Sequence, residues 1–407
     1  MFSLIKKLDK DRFIRDSLVL TVSFFIFNVA NFFYHFYAAR KLGPEDYAVV
    51  ASLFSVLYLF SVLANVLQTS ITKFTSNFYA KKDFGKIKYL RNKAMFKMLK
   101  YSCLLFVSYV LISPLISSFL HIGIIPILIT GIMLLFMLVL PVNRGILQGM
   151  QKFYHLGSNL VLEGILKLGL TIALIYFGFR INGALGAVII ASVIALAFSF
   201  IKIQTKPKKF NSKEIYSYSY PVLIAMLSIT AMYSVDVFLA KHLFSENQAG
   251  LYSAISLLGK IVFFGATAIS LVMFSKVSEL HAQNKEHRSI RDKALMLTGL
   301  MGLLITAIYF FFPKLILVLV FGKEYLGGSG ILGFFGIFMT FLALSYMLSL
   351  YKLSINKKKF VYLLLLFNLI QIIGLYIIGN NLIKWVYFLD IISILLFLSL
   401  TILSKSK

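Results

Sequence analysis

Cysteine is nearly absent from this chain: Cys103 is the only one among 407 residues. One thiol cannot close a disulfide within the chain, and it cannot build a cysteine-based zinc site. The six histidines show no His-x-x-x-His spacing, so the sequence predicts no metal site and no cofactor. Because Cys103 lies in an apolar run from 99 to 111, we interpret it as a small buried hydrophobic side chain.

Charge is also scarce, and negative charge most of all. Only 14% of the residues are charged, with 15 Asp and Glu against 41 Lys and Arg. A soluble protein carries about a quarter charged residues. Here 59% of the residues are hydrophobic, the mean hydropathy is +0.88, and the apolar residues form runs of roughly 20, the length that crosses a hydrocarbon core of about 30 Å. The chain is therefore predicted to be an all-α polytopic membrane protein with no soluble domain.

The apolar runs predict twelve membrane spans. They cover about 17–39, 47–71, 98–119, 124–142, 158–178, 183–202, 218–240, 249–273, 294–312, 328–350, 360–379 and 385–404. If the N-terminus is cytoplasmic, the inner side holds 32 of the 41 Lys and Arg residues, counting Lys100 and Lys202 at the inner ends of their spans, and the outer loops hold 7. This is the positive-inside pattern, and it predicts a multi-pass protein of the cell membrane with both termini in the cytoplasm.

The segments between the spans are short, so any function must lie among the spans. The largest inner segment, 72–97, has apolar residues at helical spacing among lysines, which predicts an amphipathic helix lying on the cytoplasmic surface. Such basic segments beside spans meet anionic lipid head groups. Membrane lipids, and not nucleic acid, are therefore the expected partners.

The chain also resembles itself at a shift of 201 positions. Eight identities fall within 28 positions, from the Ala30–Ala231 pair to the Leu57–Leu258 pair, against about two expected from this composition. The shift predicts two six-helix lobes, 1–203 and 204–407, as parallel repeats about an axis along the membrane normal. Such lobes would enclose a cleft suited to alternating access.

Polar side chains recur on one face of each of the first two spans. Span one carries Asn28, Asn31 and His35, and span two carries Asn65, Gln68 and Thr72, both at i, i+3 and i+7. Two interpretations remain open: hydrogen bonds between helices, which are common in membrane bundles, or a polar lumen shared by the two spans.

Four ionisable residues are candidates within or near the other spans. Arg144, at the inner end of span four, either binds phosphate oxygens with its guanidinium fork or is an interface cation that extends towards water. Glu163 and Lys167 share span five at i, i+4, the favourable order for a same-helix pair. Lys260, near the middle of span eight, has no such partner and is the preferred functional cation.

Asp236 coincides with His35 under the shift of 201. Each half thus places one titratable group towards the outer end of its first span. We hypothesise that the two side chains face each other across the cleft as a gate or proton site. The alternative is that they are unrelated interface residues.

Two motifs resemble a known family. They are Ala-Ala-Arg-Lys-Leu-Gly-Pro-Glu-Asp-Tyr-Ala at 38–48 and Gly-Ile-Leu-Gln-Gly-Met-Gln-Lys-Phe at 145–153. They are similar to the polysaccharide (oligosaccharide) flippases of the multidrug/oligosaccharidyl-lipid/polysaccharide exporter (MOP) superfamily. The resemblance implies a transporter for an oligosaccharide on an anionic undecaprenyl- or dolichyl-phosphate-type lipid, with the sugar-phosphate head in a cationic cavity. Arg144 matches a cavity-side Arg position by its place in the motif.

The preferred hypothesis is a transporter, with no enzymatic activity, that flips a lipid-linked (pyro)phosphate oligosaccharide from the inner to the outer leaflet. Lys260 and Arg144 would attract the phosphate, and the span-one and span-two amides Asn28, Asn31, Asn65 and Gln68 would bind the sugars. Ion coupling or gating would fall to His35, Glu163, Lys167 and Asp236. Polysaccharide-assembly enzymes are further candidate partners.

Three alternatives stay open at this point. The first is a multidrug or cation antiporter of the same superfamily, which would need an acidic cleft, whereas the unmatched candidates here are cations. The second, less favoured, is a membrane-embedded glycosyltransferase, which would need carboxylates or a metal motif on an outer loop. The third is a scaffold within a cell-envelope assembly.

Overall fold

The computed structural model describes residues 2–210, 220–282, 285–355, 357 and 359–405, and within these ranges all regular secondary structure is helical. The helices are α1 (Phe2–Ala80), α2 (Phe84–Leu120), α3 (Ile124–Gly149), α4 (Phe153–Tyr176), α5 (Arg180–Phe198), α6 (Tyr220–Met232), α7 (Val235–Leu243), α8 (Glu246–Ala282), α9 (Arg288–Phe311), α10 (Pro313–Val320), a 3-10 helix (Lys323–Gly328), α11 (Ser329–Ser354), α12 (Phe360–Ile378) and α13 (Leu382–Lys405).

Eleven helical segments of the described ranges are long and apolar enough to cross a membrane. The first of them, Val22–Ala80, has 59 residues, and the helix that contains it is broken at Gly43 (φ 77°, ψ 174°), where Pro44 follows. A positive φ suits glycine because it has no Cβ. Predicted spans one and two therefore both exist. Between them, at 40–46, the expected loop is only a kink at Gly43. The all-α polytopic fold class is confirmed.

Large apolar side chains cover the outside of the helices. Leu104, Leu111, Tyr362 and Ile377 are each more than 60% exposed. A soluble protein seldom exposes large continuous apolar patches, whereas lipid solvates them. Cys103 lies on α2 between such residues and is exposed, so the prediction that it is buried is wrong. The reason is that a membrane span also carries apolar side chains on its lipid-facing side.

The chain packs as two compact units. Unit 1 contains Met1–Lys41 and Phe60–Ser219, and unit 2 contains Leu42–Leu59 and Tyr220–Lys407. Residues 42–59 of α1 thus pack with the C-terminal helices. The lobes 1–203 and 204–407 and their symmetry stay a prediction. Under the shift of 201, the kink at Gly43 corresponds to Phe244, which lies between α7 and α8.

Predicted inner segment 72–97 is a helical hairpin in unit 1. The first helix continues to Ala80, and α2 begins at Phe84 and runs without interruption into span three. Ile87 and Leu90 are buried in a cluster with Ile71, Ile146 and neighbouring residues. The predicted amphipathic helix therefore exists, but its placement on the membrane surface is wrong, because its apolar face packs against protein.

Predicted span seven is broken. α6 ends at Met232 and α7 begins at Val235, so Tyr233 and Ser234 lie in a non-helical turn inside unit 2. This break places Asp236 in the first turn of α7, where the helix dipole favours a carboxylate. The prediction of a continuous helix over 218–240 is wrong, since hydropathy does not detect a two-residue interruption.

Unit 2 contains a close backbone contact that tolerates only glycine. At Gly250, in α8, an added Cβ would overlap the backbone carbonyl of Pro44. We expect Gly250→Ala to destabilise unit 2 by about 1 to 3 kcal/mol, the usual cost of overpacking. Melting in detergent, followed by fluorescence of the single tryptophan Trp385, will show a lower midpoint.

Gly299→Ala is the matched control for that substitution. Gly299 also lies within a helix of unit 2, and no described atom lies within 4 Å of an added Cβ. Alanine favours a helix over glycine by about 1 kcal/mol, so this midpoint should be unchanged or higher. Equal melting midpoints for the two variants would contradict the close contact.

Candidate functional site

Unit 1 holds a polar network along α4. Asn159, Glu163 and Lys167 follow one another at i, i+4 and i+8, so all three lie on one face of the helix. Asn159 is fully buried and was absent from the sequence predictions. Its position four residues before Glu163, which puts both side chains on one helix face, is the sequence signal that could have identified Asn159.

Arg144 joins this network from α3. Its Nε donates to Asn159 Oδ1 at 2.8 Å, and its Nη2 donates to Glu163 Oε2 at 2.5 Å. Asn159 in turn donates to the Ala195 carbonyl at 2.6 Å, which fixes its orientation. Since the side chain of Arg144 is only 11% exposed, the alternative of an interface cation extending towards water is wrong. Such charge-assisted bonds are short and strong.

Lys167 binds the first span. Its Nζ donates to Asn31 Oδ1 at 2.7 Å and lies 4.0 Å from the ring centroid of Tyr34. The Tyr34 hydroxyl donates to the Ala184 carbonyl, which holds the ring in place. Glu163 also acts on Lys167 electrostatically, but its hydrogen-bonded ion pair is with Arg144. The predicted Glu163–Lys167 pair is thus part of a larger network.

The amide side chains of the first two spans fall into two groups, those hydrogen-bonded to another helix and those exposed. Asn31 and Gln68 make hydrogen bonds between helices, Asn31 to Lys167 and Gln68 to Gln148 Oε1 at 3.2 Å. Asn28 and Asn65 are exposed, and Asn28 donates to a carbonyl of its own helix. Hydrogen bonding between helices thus applies to Asn31 and Gln68, and the shared polar lumen stays a prediction. Sugar binding by these amides stays a prediction.

Glycines of α3 bring that helix close to α1. A Cβ at Gly145 would lie 2.8 Å from the Gln68 carbonyl, and one at Gly149 would meet Thr75 and the Thr72 carbonyl. Small residues at this spacing allow helix backbones to approach in membranes. This contact places Arg144 and Gln68 on adjoining helices.

Unit 2 buries Lys260 against aromatic rings. Its Nζ lies 4.9 Å from the centroid of Tyr58 and 5.8 Å from that of Tyr233. The faces of two tyrosines attract a cation, more strongly when water is excluded. Lys260 is 6% exposed, whereas Tyr58 is half-buried, so the cluster reaches the surface of unit 2. Sequence reasoning identified Lys260 but neither tyrosine, because ring contacts come from tertiary packing.

Asp236 is the acidic neighbour of Lys260. The Tyr252 hydroxyl donates to Asp236 Oδ2 at 2.6 Å, and Asp236 and Lys260 interact electrostatically. The other carboxylate oxygen, Oδ1, has no hydrogen-bond partner among the described residues. His35, its predicted counterpart, is buried in unit 1 against the ring of Tyr34. Their pairing as a gate stays a prediction.

Buried charge in both units is mainly positive. Among the described residues, five basic side chains are buried: Arg144, Lys167, Lys241, Lys260 and Lys352. Two acidic residues are buried: Asp236 and Asp390. Arg144 and Lys241 are ion-paired with Glu163 and Glu246. Charge is costly away from water, so a buried lysine that makes no ion pair with a carboxylate in the described residues, such as Lys260, is a candidate for a function that needs positive charge.

Comparison with known proteins places this arrangement in a family. The family described as "Polysaccharide biosynthesis protein" matches residues 38–329. The capsular polysaccharide biosynthesis protein CapF of Staphylococcus aureus is 24% identical over 210 residues, covering 49% of this chain and 53% of CapF.

Two solved structures share the fold. An inward-facing multidrug resistance MATE family transporter of the MOP superfamily gives a TM-score of 0.79 at 16% identity, covering 96% of this chain and 99% of its own. The second is a MOP superfamily transporter from Pyrococcus furiosus, described by a binding pocket of reverse polarity that suggests a different function. Its TM-score is 0.68 at 17% identity, and the match covers 96% of this chain and 94% of that one. The resemblance seen in the sequence is confirmed: the chain belongs to the polysaccharide biosynthesis protein family and has the fold of the MOP transporters.

Proposed function

We propose that this protein flips a lipid-linked oligosaccharide from the inner to the outer leaflet by alternating access. The observation that carries the proposal is Lys260, a lysine buried in unit 2 whose Nζ lies over the rings of Tyr58 and Tyr233. A phosphate-linked sugar is anionic at its lipid junction and polar along its sugars. The bilayer core excludes both, so the carrier must replace the water that the head group loses.

Lys260 is the proposed phosphate ligand. Cation–π contacts to Tyr58 and Tyr233 stabilise its charge without neutralising it. An arriving phosphate would thus meet a positive centre whose desolvation the two rings offset in part. Lys167, held by Asn31 and Tyr34 in unit 1, is similar in kind, and we propose it as a gate residue with Glu163.

Asp236 is the proposed site of ion coupling. Its unpartnered oxygen Oδ1 can accept a proton or contact a cation, and a change in its charge would alter the field at Lys260. Protonation of Asp236 would remove the negative charge beside Lys260 and so reduce the repulsion that an arriving phosphate meets. His35 is proposed to gate the same path from the other half of the chain.

The names of two comparison proteins support the proposal. CapF is named as a capsular polysaccharide biosynthesis protein, which supports a substrate that contains sugars. The Pyrococcus furiosus transporter is described by a binding pocket of reverse polarity. The competing function, an antiporter for small organic cations, has the support of the MATE fold, but buried lysines repel a cationic substrate.

Reconstitution tests the proposal. Proteoliposomes containing a fluorescent lipid-linked oligosaccharide will show a larger fraction accessible to an external quencher than protein-free liposomes. The same vesicles, given a fluorescent organic cation and an opposing ion gradient, will show no uptake. Uptake of the cation without flipping of any lipid-linked sugar would replace the proposal with the antiporter.

A further inference from the structure

Unit 2 has an open pocket of about 400 Å³ whose lining includes none of the buried cations. Three segments meet there: the start of α8, the residues around the start of α11, and the turn between α12 and α13. The lining includes Gln248, Gly330, Asn380, Asn381 and Tyr387. All three segments lie on the side that the charge distribution predicts to be outer.

The chemistry of this lining is neutral and rich in amides. Gln248, Asn380 and Asn381 each offer one carbonyl acceptor and an NH₂ group with two donors. None of the residues that line it in the described part of the chain is charged. Tyr387 adds an exposed aromatic ring, 45% accessible. A ligand that complements these amides and this ring has hydroxyl groups, which both donate and accept hydrogen bonds, and C–H faces, which stack on an aromatic ring.

The pocket is held in shape by its surroundings. Gly379 makes the tight turn with φ 68°, and Asn381 Oδ1 accepts from the Lys384 N–H at 3.0 Å, which caps α13. The ring of Tyr387 lies edge-on to Phe334 with centroids 5.0 Å apart. At Gly330 no described atom lies within 4 Å of an added Cβ, so the absent side chain leaves space rather than a packed contact.

We propose that this pocket binds neutral sugar residues of the translocated glycan on the outer side. The inference rests on the proposed function for the source of the glycan, but the binding chemistry stands on the lining alone. The volume lies within the range of small-ligand sites, about 300 to 1,000 Å³. Binding here would hold the glycan outside after the phosphate has left Lys260, and would thereby oppose its return.

Binding is measured directly with soluble glycans. Purified protein in detergent is titrated with maltotetraose, chitotetraose and mannotetraose, and with the glycan released by mild acid from the lipid-linked oligosaccharide used for flipping. Calorimetry follows the binding, because Trp385 is fully buried and, two residues before Tyr387, lies on a different face of α13. At least one glycan should bind with a Kd of about 1 mM or below, which corresponds to about −4 kcal/mol.

Substitutions locate the binding. Tyr387→Ala, Asn380→Ala and Gln248→Ala should each weaken the affinity about 10-fold, and Asn381→Ser keeps the helix cap while removing the amide. Asn247→Ala, an exposed amide next to Gln248 that does not line the pocket, should bind like the wild type. No binding by any glycan, or equal loss in the Asn247 variant, would overturn the inference.

Flipping rates of the Tyr387→Ala variant distinguish failure of this inference from failure of the proposed function. With a lipid carrying one sugar, Tyr387→Ala should flip at the wild-type rate; with a lipid carrying four sugars, it should flip at least three times more slowly. Failure of the proposed function would appear as no flipping by the wild type, with soluble glycan binding intact. Failure of the inference alone would appear as wild-type flipping that is insensitive to Tyr387→Ala at both lengths.

Discussion

Lys260→Ala should lower the rate of oligosaccharide flipping by roughly 30-fold or more, the largest functional effect expected from one substitution. Truncating one member of a close, buried charge pair costs about 2 to 5 kcal/mol, and here the missing member would be the cation that meets the substrate phosphate. The loss also leaves Asp236 buried without its basic neighbour, which adds repulsion towards an anion. Initial rates of quencher accessibility in proteoliposomes measure the effect.

Three variants separate loss of the cation from loss of structure. Lys352→Ala removes another buried lysine of unit 2, one that lies 6.0 Å from the ring of Phe360 and has no proposed role. It should flip at close to the wild-type rate. Lys260→Arg keeps the charge and should retain part of the activity. Lys260→Ala with Asp236→Asn removes both charges, so it should fold well and still fail to flip.

The double variant decides the interpretation of a negative result. If it melts like the wild type and flips normally, Lys260 and Asp236 are a structural pair and the phosphate binds elsewhere. If only Lys260→Ala is inactive and the double variant recovers, repulsion by Asp236 is the cause rather than absence of the cation. Persistent loss in a well-folded double variant supports Lys260 as the phosphate ligand if Asp236→Asn alone still flips, because that single variant removes only the proposed coupling carboxylate.

Hydropathy predicted most of the fold. A membrane span needs a long apolar run whatever its neighbours are, so the number of spans and their approximate limits follow from local sequence. Breaks within spans do not, because two residues hardly change a window average. Tyr233 and Ser234 separate α6 from α7 although nothing in the hydropathy distinguishes them. Conversely, the gap between the apolar runs 17–39 and 47–71 located the kink at Gly43, although it did not show how short the connection is.

Partners of the charged residues were predicted less well. Helical spacing correctly placed Glu163 and Lys167 on one face, but the closest ion pair of Glu163 is Arg144 on another helix. Such pairs depend on which helices become neighbours, and a single sequence carries no signal for that. The depth of Lys260 in its span was readable from position alone. Its tyrosine neighbours were not, since 22 tyrosines offer many equivalent choices.

Arg144→Met should cause the largest loss of stability, about 3 to 5 kcal/mol, because it leaves Glu163 with an uncompensated charge in a buried network. Glu163→Gln should cost less, since the amide can still accept from the Arg144 guanidinium. For the pair Arg144→Met with Glu163→Gln, we expect a melting midpoint above that of Arg144→Met alone. Arg291→Ala, which breaks an ion pair with the exposed Asp292, should cost less than about 1 kcal/mol.

The same variants test whether Arg144 binds substrate in addition to pairing with Glu163. Two of its guanidinium nitrogens already donate to Asn159 and Glu163, and Nη1 is left to contact a phosphate. If Arg144 has both roles, the stable double variant will flip slowly at low substrate and improve as substrate density in the vesicle rises. A double variant that flips normally at every density would make Arg144 a purely structural cation and leave Lys260 as the phosphate ligand. A melting midpoint for Arg144→Met equal to that of the wild type would instead contradict the ion pair itself.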